Sequence, residues 1–233
     1  MKKLMTALAL CLLLAIGGTG LADSEGVIVQ SACNIMQSGE YYLVYCFAQV
    51  HNNSDQVICL EQGAFELHNG EQLLATEEVS SLWPYFINPG EDGFLFDIVT
   101  FEPQDGVPVV PNVTAINYNV VYMTVDQAHA GYDLSAVSEI ELDEATGSVT
   151  VRCELTNTTD MDAFDPTVAI GLYTEEGSMI YADGVTLKGV GIPAGGTTLV
   201  RFTVEEAFVS QWQGYGVAPT QAYINASFRL DED

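Results

Sequence analysis

Between residues 23 and 126 the chain contains no lysine and no arginine. The whole sequence of 233 residues holds 6 basic residues against 32 acidic ones, a formal net charge of −26. Such a surface repels the phosphates of nucleic acids and the headgroups of anionic membranes, so neither is expected as a partner. Basic proteins, basic peptides and divalent cations are the complementary classes. High net charge also serves solubility alone.

Catalytic signatures are scarce. The three histidines, His51, His68 and His129, sit beside no serine or cysteine pattern of a nucleophile, and no Gly-x-Ser-x-Gly is present. No glycine-rich loop is placed to cradle phosphate. Gly189, Gly191, Gly195 and Gly196 flank a proline turn and punctuate strands. Paired carboxylates could support glycoside hydrolysis. Among 32 acids, however, some such pair is inevitable. A carboxylate-based hydrolase is therefore the third reading, and a non-catalytic protein the expected one.

Long apolar runs are also few. The one of note follows Lys2 and Lys3, spans residues 4–16, and leads through small residues to Gly20-Leu-Ala22. A charged start, an apolar stretch and a small-x-small end form a secretory signal peptide, cut after Ala22. The run is shorter than the roughly 20 residues of a spanning helix. The expectation is an exported, soluble protein without membrane insertion, cell-surface associated at most. Removal of residues 1–22 leaves four basic residues against the same 32 acids. Four cysteines also remain: Cys33, Cys46, Cys59 and Cys153. An exported chain permits disulfides, but spacing alone leaves their pairing open. It is not the closely paired spacing of a zinc site.

What the chain does contain, it contains twice. Val50-His-Asn-Asn-Ser54 is echoed by Leu155-Thr-Asn-Thr-Thr159, and Ile87-Asn-Pro-Gly90 by Ile192-Pro-Ala-Gly195. Both echoes lie 105 positions apart, as 50 to 155 and 87 to 192 show. Between the anchors lie Phe65-Glu-Leu67 with Asn69-Gly70, and Gly171-Leu172-Tyr173 with Glu176-Gly177. Duplication of one module of about 100 residues explains this order. The expected organisation is a signal peptide over 1–22, one repeat over 23–126 and a second over 127–233, with the linker near 126–131.

Strand signals dominate both repeats. Val149, Val151, Cys153 and Leu155 alternate with Thr150, Arg152, Glu154 and Thr156, a period of two with one face buried. The same offset maps the buried set onto Val44, Cys46, Ala48 and Val50. Further strands are expected at 27–35, 65–67, 73–75, 94–99 and 115–125, matched by 137–142, 168–173, 179–182, 198–204 and 222–230. Asn69-Gly70 is a favoured hairpin turn. The one helix candidate is 205–212, a segment short enough to form a loop equally well. Short strands with turns every 8–15 residues predict an all-β fold of two tandem antiparallel sandwiches.

The pattern of Asn-Asn-Ser-Asp55, a strand, Phe-Glu-Leu-His-Asn-Gly70, then Asn-Pro-Gly90 and Phe94-Leu-Phe96 resembles secreted bacterial immunoglobulin-like modules of the FxLYD type. The second repeat fits the same frame with Thr-Asn-Thr-Thr159, Gly-Leu-Tyr173, Pro-Ala-Gly195 and Val-Arg-Phe202. The resemblance implies extracellular, non-catalytic modules and supplies no catalytic residue.

Two constellations are candidate sites. Asp160, Asp162 and Asp165 fall in one loop, and three carboxylates near a point suit calcium. The other is aromatic: Trp83 and Tyr85 precede one turn, and Trp212 and Tyr215 precede the last strand. Flat aromatic faces on loops bind sugars or peptide side chains at low entropic cost. The expected function is an extracellular binding or interaction module, its partner a basic protein or peptide or a cell-surface component. A calcium-stabilised spacer is the alternative. Asn52 and Asn157, each starting an Asn-x-Ser/Thr triplet, are expected to end strands and serve turns.

Overall fold

The computed structural model describes residues 26–126, 131–143 and 147–229. The expected signal peptide and most of the expected linker lie outside the described residues. The first half comprises β1 (Gly26–Ser38), β2 (Tyr41–Asn52), β3 (Val57–Asn69), β4 (Gln72–Glu78), β5 (Ser81–Trp83), β6 (Phe86–Ile87), β7 (Asp92–Phe101) and β8 (Ala115–Val125). The second comprises β9 (Tyr132–Asp133), β10 (Ser135–Leu142), β11 (Val149–Thr156), β12 (Ala163–Phe164), β13 (Thr167–Tyr173), β14 (Met179–Thr186), β15 (Gly191–Ile192) and β16 (Thr197–Val204). Helix α1 (Glu206–Gly214) and β17 (Gln221–Phe228) complete it. The fold is all-β and antiparallel, as expected. No helix among the described residues is long and apolar enough to cross a membrane.

Each sheet stays within one half. In the first, β1-β2-β7-β5 form one sheet, and β4-β3-β6 with β8 form the other. In the second, β10-β11-β16 form one sheet, β14-β13-β17-β9 another, and β12-β15 a short two-stranded pairing. The registers repeat as well as the strands. Cys46 lies opposite Asp97, and the residues 105 positions on, Val151 and Phe202, lie opposite each other. Alternation along β2 and β11 buries the sets read from the sequence: Val44, Cys46, Ala48 and Val50, and Val149, Val151, Cys153 and Leu155. At the first hairpin beyond β3, Gly70 takes a positive φ of 59°, which a glycine adopts without steric cost.

The repeated anchors form two copies of one clasp. Asn52 and Asn157 are fully buried. The Asn52 amide donates to the carbonyls of Gln56 (2.8 Å) and Ile87 (2.9 Å), and its oxygen accepts from the Ser54 amide and hydroxyl. Asn157 does the same with Met161 (2.7 Å), Ile192 (3.0 Å) and Thr159. The Gly90 amide reaches the Asn52 carbonyl as Gly195 reaches that of Asn157. The clasp ties the end of the second strand to the turn before the strand that pairs with it, satisfying backbone groups that the turn leaves without ladder partners.

The two halves are joined face to face. One face of the β1-β2-β7-β5 sheet packs into the first core, with Cys33, Ile35, Val44, Leu95 and Val99 against Ile58, Phe65 and Leu67. Its other face carries Ala32, Phe47 and Phe94, which share a second core with Val168, Ile170 and Leu172 of β13. That core continues to Val151, Leu155 and Phe202 of the β10-β11-β16 sheet. Four sheets therefore stack in sequence, with the sheet of β13 third. Close approach requires glycine on the facing strands: a Cβ on Gly171 would strike the Phe94 ring, and one on Gly184 the Trp83 ring. Polar bonds cross the same seam. Gln30 receives the Met179 amide and donates to the Gly177 carbonyl, and the Tyr173 hydroxyl donates to Gln49.

Candidate functional site

Chain segments from both halves meet at one edge of this seam. The link between β5 and β6 brings Pro84, Tyr85 and Phe86 against Phe164 and Asp165 after β12, and against Ser227 to Arg229 at the end of β17. They line a cleft of about 140 Å³. Tyr85 and Phe164 are unusually open to solvent for their size, at 55% and 61% exposure. Tyr85 meets Phe86 edge-on, with ring centres 4.7 Å apart. The guanidinium of Arg229 lies 3.8 Å from the centre of the Phe86 ring, a cation–π contact. Phe164 is presented on the short β12–β15 pairing, opposite Gly191. Asp165 follows it in the left-handed region, φ 45°, and its carboxylate accepts the Gly189 amide.

The floor beside the cleft is polar. Asn88 accepts the Gly131 amide and donates to the Gly131 carbonyl and to Asp133, fastening the start of the second half onto the first. Asn225 donates to the Glu91 carboxyl and to the Asp92 carbonyl (2.8 Å). The Glu91 carboxyl is pushed up to about 7, chiefly by burial and then by the Asp133 carboxylate beside it. His51 pairs with Asp92 at 2.8 Å. The cleft presents apolar rings, the Arg229 cation and one carboxylate, that of Asp165.

The sequence candidates divide between surface and interior. Tyr85 lines the cleft, and Tyr215 is partly exposed at the end of α1. Trp212 is fully buried, its indole N–H donating to the buried Asn34, and Trp83 lies over Gly184. Trp212 is enclosed in the packing, and Trp83, half-buried, packs against the second core. Asp160, Asp162 and Asp165 are exposed and are not gathered: Asp162 accepts the Ala194 amide (3.0 Å), and Asp165 turns to Gly189. Among the described residues no group of three or more His, Cys, Asp or Glu side chains is placed to hold a metal. Phe164 and Arg229 were missed by sequence reasoning. Phe164 lies within the acidic run read only for its carboxylates, and Arg229 is one of the few cations the chain has.

No family model matches the chain, and no curated protein matches it by sequence. Among solved structures it is similar to red sea bream transglutaminase, with 9% identity and a TM-score of 0.25, over 88% of this chain and 30% of the other. It is also similar to a calcium-binding mutant of Bacteroides uniformis β-glucuronidase 2, with 11% identity and a TM-score of 0.21, over 70% and 22%. A third likeness is to the C-terminal globular domain of the Pyrococcus abyssi oligosaccharyltransferase, with 10% identity and a TM-score of 0.22, over 88% and 47%. The chain spans less than half the length of each, and at these scores none carries an argument about activity.

Proposed function

We propose that the protein is an exported, non-catalytic binding module of two FxLYD-like sandwiches, and that it takes a basic peptide or a basic protein surface at the cleft between its halves. The observation that carries this reading is the pair of exposed rings, Tyr85 and Phe164, on one cleft of a chain with 32 acids and 6 bases. Lysine and arginine side chains satisfy such a surface in two ways. Their apolar stems cover aromatic faces while their charged ends meet carboxylates such as Asp165. The surrounding negative potential speeds encounter and weakens with salt.

Titration of a short lysine-rich peptide containing leucine, against an acidic peptide of the same length, tests the proposal. The basic peptide binds, its affinity falls as salt rises, and Tyr85→Ala with Phe164→Ala together weakens it about ten-fold or more, each ring contributing roughly 1 kcal/mol. Equal binding of both peptides, or no effect of the double variant, overturns it.

A further inference from the structure

Cys33 and Cys46 stand directly opposite each other across the antiparallel pairing of β1 and β2. Both are 2% exposed and belong to the same core, so their side chains leave the sheet on the same face. Directly opposed residues of an antiparallel pair have Cα atoms about 4.5–5.5 Å apart, inside the span a disulfide bridges. No other cysteine is so placed among the described residues. Cys59 faces Phe86 and Met123, and Cys153 faces Ser138 and Val200.

The second half shows what this row of the sheet needs for folding alone. Where the first half has Cys33, Cys46 and Asp97 side by side, the second has Ile140, Val151 and Phe202. The twin fills the row with three apolar side chains. The cysteines are therefore not required by the packing of this sheet position. Burial also raises the Cys46 thiol well above its usual range, with Cys33 and Asp97 adding to the effect. A folded, buried thiol of that kind is a poor nucleophile, which places any oxidation before the two sheets close.

We propose that Cys33 and Cys46 form a cross-strand disulfide when the chain folds in the presence of a disulfide oxidant, while Cys59 and Cys153 stay as thiols. In the first step one cysteine thiolate attacks the oxidant disulfide, forming a mixed disulfide and releasing one thiol. In the second the other cysteine thiolate attacks the cysteine sulfur of that mixed disulfide and releases the second thiol. Two protein thiols are oxidised, one external disulfide is reduced to two thiols, and their protons pass to solvent or to the leaving thiolates.

The test is refolding of the full chain in a glutathione redox buffer, followed by alkylation in denaturant and digestion on either side of Glu40. The expected product is a peptide pair joining Cys33 to Cys46, separated by reduction, with Cys59 and Cys153 alkylated. Reductant should then lower the unfolding temperature by about 6–12 °C, the shift for a closed loop of this order in a chain of this size. Cys33→Ile with Cys46→Val, which copies the second half's row, removes that reductant dependence. Alkylation of both Cys33 and Cys46 without prior reduction overturns the proposal, as does a bridge from either one to Cys59 or Cys153. If the double variant does not fold, the peptide map of the unaltered chain decides alone.

Discussion

Asn157→Ala is the substitution whose outcome the structure fixes most closely. The side chain is fully buried, and it donates to the carbonyls of Met161 and Ile192 while accepting from the Thr159 amide and hydroxyl. Alanine removes all four contacts. The Thr159 hydroxyl also reaches the Met161 carbonyl (3.1 Å), so it can take over that acceptor. The Thr159 amide loses its acceptor, and the Ile192 carbonyl loses its side-chain donor. At roughly 1–3 kcal/mol for each buried polar group left unpaired, the expected loss is about 3 kcal/mol. In a chain of this size that lowers the melting temperature by about 6–12 °C. Because Asn52 makes the twin clasp, Asn52→Ala should cost the same to within about 1 kcal/mol. The exposed Asn112→Ala should stay within about 0.5 kcal/mol of the unaltered protein. Urea unfolding of the three variants at one pH gives the comparison. Asn157→Asp separates hydrogen bonding from shape, since a carboxylate fills the same volume but cannot donate to either carbonyl. It should be the weaker protein at pH 8 and recover as acid protonates it. A loss below 1 kcal/mol for Asn157→Ala, or a clear inequality between the twins, would refute the idea that the repeated anchor is a structural clasp.

Four further outcomes follow from the same geometry. Gly171→Val drives a side chain into the Phe94 ring at the seam, so it should cost about 1–3 kcal/mol and open Trp83 and Trp212 to a fluorescence quencher; unchanged quenching would mean that the halves do not pack there. The folded Glu91 carboxyl is raised to about 7 from an ordinary 4.5, so its contribution is full below pH 4.5 and lost as pH rises towards 7. Glu91→Gln should lack that decline, and parallel stability curves for the two proteins would count against a buried Glu91–Asp133 contact. Calcium or EDTA should leave the melt unchanged, because Asp162 and Asp165 hold backbone amides; a rise of several degrees with calcium, lost in Asp162→Asn, would show that the three carboxylates do gather. Asn34→Leu should loosen α1, since Asn34 holds both the Trp212 indole and the Ile180 carbonyl, and hydrogen exchange within Glu206–Gly214 reports it.

The repeat was legible because turn chemistry and period-two burial are both local. Asn-x-Ser or Asn-x-Thr at the strand end and Pro-Gly or Ala-Gly at the turn are the residues the clasp needs, so they stand out in the bare sequence. The hydrophobic row of β11 alternates with a polar one, which is the mark of a sheet with one wet face. The stack of four sheets was not drawn from the sequence, although a signal for it exists. Residues 43–48 read Leu-Val-Tyr-Cys-Phe-Ala and residues 168–173 read Val-Ala-Ile-Gly-Leu-Tyr, continuous apolar runs that mark strands buried on both faces. Reading only the alternate positions of β2 hid Phe47. The cleft was illegible for a different reason. Its walls come from residues near 85, 164 and 229, and no local pattern joins positions so far apart. The Cys33–Cys46 pairing depends on register, which is a property of the paired strands and not of either one.

The two halves diverge on one face. Along β2 and β7 the outer row carries Tyr45, Phe47, Phe94 and Phe96, and this row meets the second half. The corresponding positions of β11 and β16, 105 residues on, are Thr150, Arg152, Leu199 and Arg201. Three of those four are polar. Arg152 lies against Glu141 (2.9 Å) and Glu139 on the same sheet face, and Arg201 is exposed. The two modules thus share a fold but differ in whether this face is a docking surface. The first presents aromatic rings that must be covered, while the second presents charges that would lose hydration on burial without a matched partner. The large flat faces of the middle sheets are covered, which leaves edges and loops exposed. The cleft at the edge of the seam is such a place, and it draws its walls from both modules at once. Under the proposed function, a ligand at that cleft would meet both halves as one unit and not as independent arms that gain avidity from each other.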